Sequence, residues 1–120
     1  MTPAEMVQRL LQNIEAARAL IDQGPCGYVL HTDDHARFLC QVDDVWKLDA
    51  PVTPGLVTIR TYRSALVMRR YWNTKLPHDT TGARIDISLK GEALRAYIHW
   101  QQLLHDAMFE MAERRKNFDA

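Results

Sequence analysis

The sequence predicts an α+β fold: an N-terminal helix, an antiparallel β-meander of three or four strands, a short helix, one more strand and a long C-terminal helix. Three observations carry this. A capped amphipathic segment opens the chain. Short β-prone runs, separated by Asp-Asp pairs and then by Pro and Gly, follow it. An apolar row at unbroken 4-3-4-3-4 spacing, from Ala93 to Met111, closes it. The 120 residues suffice for one domain with one core of moderate size.

The first helix has both ends written in the sequence. Thr2-Pro3-Ala4-Glu5 has the form of a capping box, with proline at the first helical position, where no N–H is needed. Met6, Val7, Leu10, Leu11, Ile14, Ala17 and Ile21 share one arc, and Gly24-Pro25 ends the helix. Strands are expected at Tyr28–His31, Ala36–Val42 and Val45–Leu48. Asp33-Asp34 and Asp43-Asp44 form the turns between them, because aspartate tolerates turn conformations. After Pro51, Pro54 and Gly55, a further strand is expected at Leu56–Arg60.

Thr61 is placed to cap a second helix over residues 62–73, with Ala65, Met68, Tyr71 and Trp72 inward. Residues 75–82 read as a loop. Arg84–Leu89 alternates with period two and predicts a strand with Ile85, Ile87 and Leu89 facing the core. The last helix is expected from Gly91 or Glu92 to Lys116. Beside the row Ala93, Tyr97, Trp100, Leu104, Ala107, Met111 runs a second, Leu94, Ile98, Gln101, His105, Met108, Ala112. Together they span about 240° of the helix, far wider than the ~100° stripe of a surface helix. Such a helix is covered from more than one side. Either the N-terminal helix supplies the second layer, or a second copy does. The sequence reading takes the second: a homodimer seam through Ile98, His105, Met108, Phe109 and Ala112.

Charge excludes some functions. Fifteen basic residues balance fifteen acidic ones, which argues against a general nucleic-acid coat and against an acidic nucleic-acid mimic. The chain shows no basic-plus-apolar leader and no apolar run of about 18 residues, so a cytoplasmic protein with reduced thiols and no membrane contact is expected. The charge is unevenly spread. Residues 26–56 hold five aspartates against Arg37 and Lys47, whereas residues 57–77 hold Arg60, Arg63, Arg69, Arg70 and Lys75 with no acid. Tyr62, Tyr71 and Trp72 lie among these basic residues. Such a segment is a candidate partner-binding surface, for an acidic protein face or for nucleic acid. The plainer alternative is that the arginines pair with the neighbouring aspartates.

Cys26, His31, His35 and Cys40 are the one set with ligand chemistry, Asp33 and Asp34 lying between them. A structural zinc site needs four converging donors. Cys26 and His31 are separated by about 16 Å along a strand and face opposite ways, so a regular hairpin cannot bring all four to one ion. No metal and no cofactor are expected. A turn centred on Asp33 would place Cys26 opposite Cys40, in reach of a disulfide on oxidation; two separate thiols are the plainer outcome. Catalytic patterns are poor. Ser64 and Ser88 are the only serines, and neither lies in a nucleophile elbow. His99 and His105 do not face each other, and His105 with Gln101 and Asp106 reads as structural. A non-enzymatic protein is expected.

The run Thr58-Ile59-Arg60-Thr61-Tyr62-Arg63-Ser64-Ala65, ending in Tyr71-Trp72-Asn73, together with the hairpins before it, resembles small uncharacterised phage and prophage proteins. In these a short meander ends in a Thr-capped helix that finishes Tyr/Leu-Trp-Asn. The likeness covers about residues 27–73. It departs at Tyr62-Arg63-Ser64-Ala65, where such proteins often carry Glu-Glu-Ala. The resemblance implies no catalytic residues. It implies a mobile-element accessory protein, an inhibitor or regulator of a host complex of the anti-defence type. Nucleic-acid binding through residues 60–75 is the alternative, and metal binding through the Cys/His set a lesser one.

Overall fold

The computed structural model describes residues 1–75 and 84–119, so the expected loop over 75–82 falls, from Leu76 onward, outside the described residues. Helix α1 runs Pro3–Asp22, and the Thr2 side chain accepts from the Glu5 amide as the capping box requires. Strands β1 (Tyr28–Thr32), β2 (Phe38–Val42) and β3 (Val45–Asp49) form the meander. Helix α2 spans Tyr62–Lys75, strand β4 Ile85–Leu89 and helix α3 Lys90–Asp119. The sheet order is β3-β2-β1-β4, and every pairing is antiparallel. The α+β class and the element order are as the sequence predicts.

Both Asp-Asp pairs lie in turns. Val42 faces Val45 across Asp43 and Asp44, which have φ of 51° and 63°. Two successive left-handed residues give the hairpin turn whose twist matches that of the strands. The first hairpin has a wider loop. His31 faces Phe38, the Thr32 N–H bonds Arg37 O, and His35 is the left-handed residue, φ 58°.

The segment predicted as a strand over Leu56–Arg60 is not a regular strand. It wedges between the diverging ends of β1 and β2 by two isolated bridges, Tyr28 with Ile59 and Cys40 with Leu56. Two glycines permit the approach. A Cβ on Gly27 would run into Ile59 O, and one on Gly55, φ 103°, into Gln41 O.

Alternation along β1 divides the core between the two sheet faces. Val29 joins Ala17, Phe38, Ala93, Leu94 and Tyr97 under α1 and α3. Leu30 joins Leu39, Ile59, Ala65 and Ile85 under α2. On β4 Ile85 is buried and Ile87 half-buried, but Leu89, expected inward, is 46% exposed. It is the last strand residue, opposite Tyr28 at the end of the sheet, and the chain passes directly into α3. Leu11 of α1 is likewise on the outside. The free edge of β4 is covered where Asn73 of α2 accepts from the Ile85 N–H and donates to its C=O.

Lys90, the first residue of α3, is 6% exposed. Its ammonium donates to the carbonyls of Gln23 and Pro25 just past the end of α1. Helix α1 has no basic residue in its own last turn, so Lys90 supplies the cation that a helix C-terminus favours.

The 30 residues of α3 extend about 45 Å, whereas a five-residue strand covers only about 17 Å. The helix therefore outruns the sheet. Its fully buried residues end at Tyr97, which meets Phe38 edge to face at 6.0 Å. Beyond that point, among the described residues, α3 is covered by α1 alone, and the two form an antiparallel arm on a molecule 57 × 35 × 25 Å in extent.

Candidate functional site

Helix α2 crosses the sheet over β1 and β4, where Ala65 enters the core and Met68 and Trp72 pack against it. Among the described residues no helix lies above the half of that face built by β2 and β3. There Trp46 of β3 lies opposite Gln41 and leans toward α2 until its ring is 5.9 Å from that of Trp72. Trp72 in turn meets Tyr71 edge-on at 5.4 Å. An open cleft of about 680 Å³ results, lined by Trp46, Arg63, Ser64, Val67, Met68, Tyr71 and Trp72. Its contents are apolar and poorly covered: Val67 is 68% exposed, Tyr71 54% and Trp46 36%.

Helical spacing explains the lining. Arg63, Val67 and Tyr71 are four residues apart, as are Ser64, Met68 and Trp72, so two adjacent rows form the wall. Thr61 fixes where the wall starts, accepting from the Ser64 amide. Of the five basic residues read as a binding surface, Arg63 lines the cleft, and Arg70, seven residues on, borders it. Arg60 stands one residue before the Thr61 cap, exposed. At the far end the Lys75 ammonium sits 5.6 Å above the Tyr71 ring. Arg69 turns to the other side and is half-buried. Among the described residues none of the five pairs with a carboxylate, so their charge is not spent on the neighbouring aspartates. Trp46 is the part that the sequence did not reveal. Only the hairpin register carries it to Trp72, 26 positions away.

The Cys/His set is not assembled. Among the described residues no three His, Cys, Asp or Glu side chains converge as metal ligands. With His31 opposite Phe38 the turn is centred beyond Asp33, and Cys40 falls level with Val29, not Cys26. Cys26 is exposed and Cys40 buried, both as free thiols. Burial pushes the Cys40 thiol up to about 11.

His31, two residues before the Asp33-Asp34 turn, is 1% exposed. Thr32 O can only accept, so Nδ1 carries the proton and donates to it at 2.7 Å. Nε2 then accepts from the Ser88 hydroxyl at 2.7 Å. The His35 ring stacks on it at 4.3 Å. Burial holds the His31 imidazole below its ordinary basicity. Both nitrogens are satisfied within the fold, and the serine–histidine pair ties β4 to β1 from 57 positions away, a link that no local spacing announces.

On α3 the seam expected through Ile98, His105, Met108 and Ala112 is already occupied. These half-buried residues, with Gln101, form the row that faces α1. Ala112 adjoins Thr2, Pro3 and Ala4 at the base of the first helix. Phe109 is 50% exposed on a different side. His105 and Asp106 do meet, at 3.2 Å, with Gln102 donating to the same carboxylate, which lowers the Asp106 pKa through the His105 bond first. This is a surface network on one helix.

No family model, curated protein or solved structure matches the chain. Among the described residues no helix is long and apolar enough to cross a membrane.

Proposed function

We propose that the chain is a non-enzymatic interaction module, and that the cleft between α2 and β3 docks a segment of a partner protein that carries apolar side chains beside acidic ones. In keeping with the phage-like pattern over residues 27–73, the partner is a host protein complex met in the cytoplasm and the role is inhibitory or regulatory.

The observation that carries the reading is the cleft itself. Trp46, Trp72 and Tyr71 are part-exposed beside an arginine that has no carboxylate partner among the described residues. Tryptophan, tyrosine and arginine are the residues that dominate protein interfaces. They combine large apolar area with few rotors and, for arginine, a planar fork for carboxylates. Arg63 and Arg70 on one side, with Lys75 at the end, select an acidic segment.

Nucleic acid would use the same cations and could stack on the same rings. One feature favours protein. The cleft is also walled by Val67 and Met68, which offer nothing to a phosphate backbone.

The test is selection from a displayed library of random peptides against the whole chain. The expected winners combine Leu, Phe or Trp with Asp or Glu, and lose binding to Trp72→Ala and Arg63→Ala. Peptides without acidic enrichment, or winners that bind both variants equally well, would refute the reading.

A further inference from the structure

The row Ala93, Tyr97, Trp100, Leu104, Ala107, Met111 changes its surroundings partway along α3. Ala93 and Tyr97 are 1% and 2% exposed beneath the sheet. The same stripe then continues past the end of the sheet with none of the other described residues packed over it. Trp100 is 55% exposed, Leu103 49%, Leu104 46% and Met111 53%. Helix α1 cannot reach them, because it occupies the neighbouring row.

We propose that a second copy of this chain covers this bare stripe, the two α1–α3 arms meeting across a two-fold axis near Leu104 and Ala107 to form an antiparallel four-helix bundle. The inference is independent of the α2–β3 cleft.

Three features select a second copy as the occupant. The first is period. The 4-3-4 spacing from Trp100 to Met111 is that of a helix–helix seam, and a copy of α3 supplies the same period over the same length. The second is charge. The exposed part of the row, from Trp100 to Met111, carries no ionisable side chain. Of the charged groups at its C-terminal border, Glu110 and Arg114 neutralise each other at 2.6 Å, and Arg115 lies beside the start of α1. A strongly charged partner gains nothing here, in contrast to the cleft beside Arg63, whereas a neutral apolar stripe is matched by itself. The third is size and shape. Half-exposed, Trp100, Leu103, Leu104, Ala107 and Met111 present about 400 Å² of apolar surface, and their polar border brings each side toward the ~800 Å² of a standard interface. Small Ala107 lies between Leu104 and Met111, so an antiparallel copy sets large against small.

Sedimentation equilibrium of the whole chain, from low micromolar to near-millimolar concentration, tests this. The expected mass is twice 13.9 kDa. It should fall to the single mass in Leu104→Glu/Met111→Glu and stay doubled in Phe109→Glu, which lies on another side of the helix. Should the double variant lose its helical circular dichroism, Leu104→Ala serves instead. It keeps helix propensity and should weaken dimerisation at least about tenfold. A single mass at every concentration would overturn the proposal. So would a dimer that survives the stripe variants or that Phe109→Glu disrupts.

Discussion

Replacing Lys90 with methionine isolates one polar device of the fold. Methionine keeps the apolar stem and the helix propensity and removes only the ammonium. Two hydrogen bonds from a charged donor are lost, to Gln23 O and Pro25 O. Bonds to charged groups contribute about 1.5–3 kcal/mol each. Here the low end applies, since Gln23 and Pro25 are exposed and their carbonyls can turn to water. A further ~0.3–1 kcal/mol of interaction with the C-terminal end of α1 disappears. Against this, a cation leaves the N-terminus of α3, where the helix dipole disfavours it, and its desolvation cost is relieved. The balance is a loss of about 2 kcal/mol. Urea unfolding followed by circular dichroism should show the midpoint falling by about 1 M or more with an unchanged slope. A variant within ~0.5 kcal/mol of wild type would mean that the buried ammonium contributes no net stability, and that α1 and α3 are joined by apolar packing alone.

Two further outcomes concern the buried titratable groups. Because burial lowers the folded-state pKa of His31 beneath 6.5, the unfolded chain binds the extra proton first; stability is fully present above pH 6.5 and falls below it, by up to about 1.4 kcal/mol per pH unit. Melting curves at stepped pH values should show this slope in wild type and lose it in His31→Leu; a slope that persists in the variant assigns the effect elsewhere. In the native protein one thiol, exposed Cys26, should react promptly with a thiol reagent at mildly alkaline pH, while buried Cys40, raised to about 11, should react only after unfolding. Two fast thiols would contradict the burial of Cys40.

What could be read from the sequence is what short-range chemistry decides. Thr2 and Thr61 announce their helices because an N-cap needs only the next three residues. The Asp-Asp pairs announce turns because aspartate tolerates positive φ. What escaped depends on distant neighbours. Leu56–Ile59 has the composition of a strand, but the divergence of β1 from β2 leaves room only for two bridges. His31 reads as a residue at the edge of a solvated turn until Ser88 is brought beside it. Nothing local marks Lys90 as buried, because its partners lie at the end of α1. The basic half of the cleft was visible in the charge run, whereas Trp46 required the register of β3. The width of the apolar arc on α3 was visible too. Which strip of it stays bare was not, because that depends on a sheet about 17 Å long under a helix of about 45 Å.

The three indole N–H groups of Trp46, Trp72 and Trp100 give the most direct test of the docking cleft, since two belong to it and one to the arm. The measurement is a proton–nitrogen correlation spectrum of the labelled chain, titrated with an acidic, aromatic peptide from the display selection and, separately, with an oligothymidine. The account predicts that the peptide shifts the Trp46 and Trp72 signals together, leaves Trp100 in place, and fails to do so in Arg63→Ala. Movement of Trp100 alone, or a response of Trp46 and Trp72 to oligothymidine and not to peptide, would contradict it.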